Sequence, residues 1–114
     1  MSVPDEHYIK IGSIHTRYWE GGEGSPVVLV HGMGGSATGW LISFGVLSSQ
    51  HRIYALDLQG HGRTDKPAST QYEFSDLVKF VYEFMAELKI DHAHIAGINV
   101  SAAGRVNRKL KRVY

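Results

Sequence analysis

The apolar positions along the chain follow two periods, and where they change marks the elements. Tyr8-Ile9-Lys10-Ile11 and Ile14 to Glu20 are β-forming runs on either side of Gly12-Ser13, and they predict an antiparallel hairpin closed by a two-residue turn. After a loop at Gly21 to Pro26, Val27-Val28-Leu29-Val30 is unbroken and apolar, as expected of a central strand covered on both sheet faces. A glycine-rich loop begins at His31. A helix is expected from about Ala37 to Ser49, then a second buried strand, Arg52 to Leu56. Asp57 to Thr70 is polar and glycine-rich. Beyond it Phe74, Leu77, Val78, Val81, Phe84, Met85 and Leu88 recur at helical spacing, with Ser75 placed to help cap the start. His92 to Ala96 reads as the next strand. After Gly97 a last amphipathic helix is expected, in which Ala103, Val106, Leu110 and Val113 recur.

This order, a hairpin followed by β-α-β-α-β-α, predicts an α/β fold: a parallel sheet with right-handed crossovers and helices on its faces. Ligands in such sheets bind beyond the carboxyl ends of the strands. Those ends are His31 to Gly35, Asp57 to Gly62 and Gly97 to Ser101.

Composition narrows the picture in three ways. With 114 residues, 43% hydrophobic and 20% charged, residues 1–114 fit one globular domain, short enough that a fold needing a longer chain would be marginal. The absence of cysteine excludes disulfides and thiolate metal sites, and the histidine spacing suggests no metal site. Met1 to Lys10 lacks the apolar run of a secretory signal, and no stretch approaches the ~18 apolar residues of a membrane helix, so a cytoplasmic protein is expected.

The net charge of +1 conceals five cations near the end, Arg105, Arg108, Lys109, Lys111 and Arg112, without which it would be −4. Such a cluster can mark nucleic-acid or acidic-membrane binding. Its interleaving with the helical apolar repeat assigns it to a solvent face instead, so neither partner is expected.

The loop His31-Gly32-Met33-Gly34-Gly35-Ser36 can bring backbone N–H groups close to an oxyanion or phosphate, because its glycines have no Cβ in the way. It lacks the Gly-Lys-Ser/Thr of a phosphate-binding P-loop, and its glycine spacing is not that of a dinucleotide site. His31 and His61 lie in loops at the ligand-binding end, where a neutral imidazole could act as a base. Asp57 and Asp65 are expected to bond local backbone.

Val27 to Trp40 (VVLVHGMGGSATGW) resembles the strand and His-Gly loop of the α/β-hydrolase fold superfamily. Ala55 to Pro67 (ALDLQGHGRTDKP) resembles the loop after the next strand in its esterase, dehalogenase, epoxide-hydrolase and carbon–carbon hydrolase branches. The resemblance implies that His31 and His61 are hydrogen-bonded parts of the loop scaffold rather than bases, that Met33, after His-Gly, donates one oxyanion-hole N–H, and that a Gly-x-Ser-x-Gly nucleophile elbow follows the strand at His92 to Ala96. Counted from Gly97, the elbow is Gly97-Ile98-Asn99-Val100-Ser101, with Asn99 at the nucleophile position and Val100 as second oxyanion donor. An amide is not a competent nucleophile. In the alternative frame, Asn99-Val100-Ser101-Ala102-Ala103, Ser101 is the displaced nucleophile and Ala102 the second donor.

The family order places the acid and then the histidine after the elbow, and this chain has no Asp, Glu or His after His94. The resemblance therefore implies the N-terminal portion of an α/β-hydrolase fold, with an incomplete sheet and an incomplete triad. The implied parent activity is cofactor-free hydrolysis of a small-molecule ester or related carbonyl substrate, or of a carbon–carbon bond beside a ketone, by a nucleophile–His–acid mechanism, with this chain inactive alone. Two alternatives stand beside it. One is a non-catalytic module of the same fold that binds a partner or self-associates through an exposed sheet edge. The other is a truncated or frameshifted ending beyond Gly97.

Overall fold

The computed structural model describes residues 4–31, 35–59, 61–66, 74–97 and 112–113. The expected hairpin is present. β1 (Asp5–Ile11) pairs antiparallel with β2 (Ile14–Gly21), Ile11 opposite Ile14, so the turn is Gly12-Ser13. Gly12 has φ 63°, a left-handed conformation that glycine adopts without steric cost. β3 (Ser25–Val30), β4 (His51–Leu56), β5 (Ala93–Gly97) and β6 (Arg112–Val113) follow, with α2 (Phe74–Glu87) between β4 and β5.

The sheet order is β1-β2-β4-β3-β5-β6, and β3 pairs parallel with both β4 and β5. Its central place matches its unbroken apolar sequence. Side chains alternate between two packed faces. Tyr18, Val28, Leu56, Ala93 and Ile95 face α2, which buries Leu77, Phe80, Val81, Phe84 and Met85 against them. Trp19, Val27, Leu29, Ile53 and Ala55 face the other way, against Ala37 and Phe44. Among the described residues no helix is long and apolar enough to cross a membrane.

Three expectations are corrected. Phe80, outside the expected apolar face of α2, is buried; its spacing from Leu77 and Phe84 puts it on the same stripe. The helix expected from Ala37 to Ser49 divides into a 3-10 turn (Ala37–Trp40) and a short α1 (Leu41–Leu47). Ser36 caps the 3-10 turn by accepting the Thr38 N–H at 3.2 Å, while Gly39 and Gly45 weaken a continuous helix across the segment.

The third correction concerns the basic helix. Arg112–Val113 form a strand, β6, antiparallel to β5, with Ala93 opposite Val113 and His94 opposite Arg112. Backbone groups on the open side of β5 need partners, and an extended segment supplies them where a helix cannot. The rest of that expectation, residues 98–111, lies outside the described residues.

Candidate active site

The carboxyl ends of β4, β3 and β5 are neighbours in the sheet, so their loops converge at one end of the molecule. One part of that end is built on Asp57, the residue directly after β4, whose side chain is fully buried. Its carboxylate accepts the Ala37 N–H at 2.6 Å, the Arg63 N–H at 2.7 Å, and Arg17 Nε–H and Nη2–H at 2.8 and 3.4 Å. A buried carboxylate is tolerable only when paired and hydrogen-bonded in this way.

Arg17, itself buried in β2, completes a ring. Its backbone N–H donates to Thr64 Oγ1 at 2.9 Å, Thr64 Oγ1–H donates to the Asp57 carbonyl at 2.9 Å, and the Asp57 N–H donates to the Arg17 carbonyl at 3.0 Å. The remaining guanidinium donors reach Glu6 Oε1 at 3.1 Å and Thr38 Oγ1 at 3.3 Å, and Glu6 Oε2 also receives Arg63. Burial pushes the Glu6 carboxyl up, but the Tyr8 hydroxyl and the Arg17 and Arg63 guanidiniums outweigh it and hold the group below its ordinary value.

Asp65 closes the loop onto β2 a second time, since its carboxylate accepts the His15 N–H at 2.8 Å and its own N–H donates to the His15 carbonyl at 3.0 Å. The loop after β4 thus leaves the side of β2 at Asp57 and returns to it at Thr64 and Asp65. Within it Gly62 has φ 52°, and a Cβ there would collide with the Asp57 carboxylate. The glycine lets the turn wrap over the buried acid.

His31 ends β3 and is buried; its Nε2 accepts the Leu58 N–H at 2.9 Å. That nitrogen therefore carries no proton, and the ring is the neutral Nδ1–H tautomer. His61 lies beside it, ring centroids 4.9 Å apart, and its Nδ1 donates to the Gln59 carbonyl at 3.0 Å, because a carbonyl only accepts. The scaffold role expected of both histidines is what these bonds describe: the acceptor nitrogen of His31 is committed to backbone.

The expectation for Asp57 was narrower than its role. It bonds local backbone through Arg63, but also fixes Ala37 across the sheet and pairs with Arg17. Arg17, Thr38 and Thr64 were not anticipated. The available signal was Arg17 itself, a cation in the apolar stretch beside Tyr18 and Trp19 that would need a buried counter-charge. The catalytic candidates, Asn99, Ser101, Met33, Val100 and Ala102, lie outside the described residues.

Comparison with known proteins matches this architecture. The chain is 37% identical over 106 residues to the dihydrolipoyllysine-residue acetyltransferase component of the acetoin cleaving system of Pseudomonas putida, covering 91% of this chain and 28% of that protein. It is 32% identical over 89 residues to 2-hydroxy-6-oxo-6-(2'-aminophenyl)hexa-2,4-dienoic acid hydrolase of Metapseudomonas resinovorans, covering 75% and 30% respectively. The crystal structure of E-2-(acetamidomethylene)succinate hydrolase superposes with a TM-score of 0.79 at 27% identity, covering 91% of this chain and 37% of that one. The chain thus spans less than two-fifths of the length of each. The profile of the alpha/beta hydrolase fold family matches residues 25–98, from β3 through the tethered loops to the end of β5, and the chain belongs to that family.

Proposed function

We propose that this chain is the oxyanion-loop scaffold of a cofactor-free hydrolase acting on an ester or related carbonyl substrate, including a carbon–carbon bond beside a ketone. The observation that carries the reading is the double tether of the loop after β3. His31 on one flank accepts the Leu58 N–H at 2.9 Å, and Ala37 on the other donates to Asp57 at 2.6 Å. An oxyanion donor is useful in proportion to how little it must reorganise during reaction, and anchored flanks provide that.

In this mechanism a nucleophile at the end of β5 attacks the carbonyl carbon, and the oxyanion that forms accepts N–H bonds from Met33 and from Val100 or Ala102. Loss of the leaving group gives an acyl intermediate that water then cleaves. Ser101 is the hydroxyl candidate for the attack. A base and an orienting acid are also required, and these 114 residues have no Asp, Glu or His after His94. The names of two of the similar proteins, both hydrolases, support the reaction class.

The chain alone should hydrolyse p-nitrophenyl acetate no faster than buffer. Turnover well above buffer that disappears in Ser101→Ala would overturn this inactivity and identify the nucleophile together. A second reading, a non-catalytic module of this fold, is favoured by one observation: Asn99 stands at the nucleophile position in the family's spacing.

A further inference from the structure

Among the described residues the sheet runs from β1 to β5 and β6, and its two sides are defended differently. β1 forms one edge and carries its own charges, Asp5, Glu6 and Lys10. Charged residues on an edge strand discourage pairing with another chain. β5, at the other side, reads Ala93-His94-Ile95-Ala96-Gly97 and contains no Asp, Glu, Lys or Arg. Its inner side pairs with β3 from His94 to Gly97. Its outer side would be an uncharged row of backbone donors and acceptors, and His94 and Ala96 are exposed on the sheet face beside it.

The chain returns to this edge. Arg112 and Val113 run antiparallel to β5, opposite His94 and Ala93. A parallel neighbour would need a crossover connection, and it would compete with β6 for the same backbone groups. Arg112 lies in β6, and Arg105, Arg108, Lys109 and Lys111 precede it in the sequence. Positive charge on an edge strand is one of the means by which it resists intermolecular pairing.

We infer that Arg112–Val113 is an intramolecular edge cap, which occupies the uncharged edge of β5 that a second copy of this chain would otherwise pair with and substitutes a strand carrying Arg112 for it. Removing the cap leaves two β5 edges free to pair antiparallel about a twofold axis. Arg112 then gives the replacement edge a charge that β5 lacks.

The test is the oligomeric state of the full chain by light scattering across a wide concentration range, with Arg112→Pro and Val113→Pro introduced together. In an antiparallel ladder one of two successive residues directs its N–H at the neighbour, so the pair removes that bond whichever it is. The unmodified chain is expected to remain a monomer, and the double variant, with its helical circular dichroism unchanged, to rise about twofold in apparent mass. A dimeric unmodified chain, or a folded double variant that stays monomeric, overturns the inference. Should the double variant unfold, hydrogen exchange on the unmodified chain decides. The outward β5 amide opposite β6 should exchange far more slowly than a free-edge amide, and free-edge exchange there overturns the cap.

Discussion

Phe84 and Asp57 are both completely excluded from solvent, one on the α2 face and the other at the carboxyl end of the strands, and they are buried by opposite means. Phe84 presents its ring edge-on to Tyr18 and Tyr54, at centroid distances of 5.3 and 6.5 Å, within a continuous apolar cluster. Its contribution scales with the area removed from water, about 1.5–3 kcal/mol for a fully buried side chain of this kind, and is nearly indifferent to direction. Asp57 is held by bonds to Ala37, Arg63 and Arg17, each of which needs a particular atom in a particular place. A core of the first kind makes the sheet and helix cohere. A centre of the second kind decides where the loops end.

Near-isosteric substitutions separate the two most sharply. Asp57→Asn keeps the shape and loses the charge facing Arg17, and should lower unfolding free energy by about 1.5–3 kcal/mol. Phe84→Met keeps volume and apolarity and should cost less than about 1.5 kcal/mol. Urea denaturation followed by circular dichroism measures both. The contrast fails if Phe84→Met proves the more damaging. Arg17→Met introduced with Asp57→Asn should cost less than the two separately, with a coupling of about 0.5–3 kcal/mol, because the buried cation is removed along with its partner.

His31 belongs with Asp57 rather than with the apolar core, although it sits at the end of the most apolar strand. His31→Ala leaves the Leu58 N–H without its acceptor and should cost about 1–3 kcal/mol, much of which His31→Gln should restore through its amide oxygen. Equal losses in the two variants would place the histidine among packing residues instead.

The smallest effect lies at the rim of the Asp57 centre. Because the Glu6 carboxyl is held below its ordinary value when folded, the stability it adds is present above the ordinary carboxylate range and lost as pH falls through the folded value. Glu6→Gln should therefore be less stable near neutral pH by under about 1 kcal/mol, as befits a partly exposed ion pair, and should match the unmodified chain in acid. A difference in denaturation midpoint that is constant with pH would detach Glu6 from the ionic centre.

Periodicity alone determined most of the frame: the hairpin about Gly12-Ser13, the central place of Val27 to Val30, and the apolar stripe of α2. Each of these depends on neighbours a few residues apart along the chain, so their spacing is written locally. The motif residues His31, Asp57 and His61 were legible as parts of loops at the ligand-binding end. Their bonds were not, because the partners are distant in sequence: Arg17 lies forty residues before Asp57, and Leu58 twenty-seven after His31. The tail illustrates the same limit. Ala103, Val106, Leu110 and Val113 carry helical spacing, yet Arg112 and Val113 are drawn into a strand by the unpaired edge of β5. Local pattern therefore determined which segments become strands and helices. Which polar groups are buried together, and what closes the edge of the sheet, was decided in tertiary structure, where backbone and charge must find partners wherever the fold brings them.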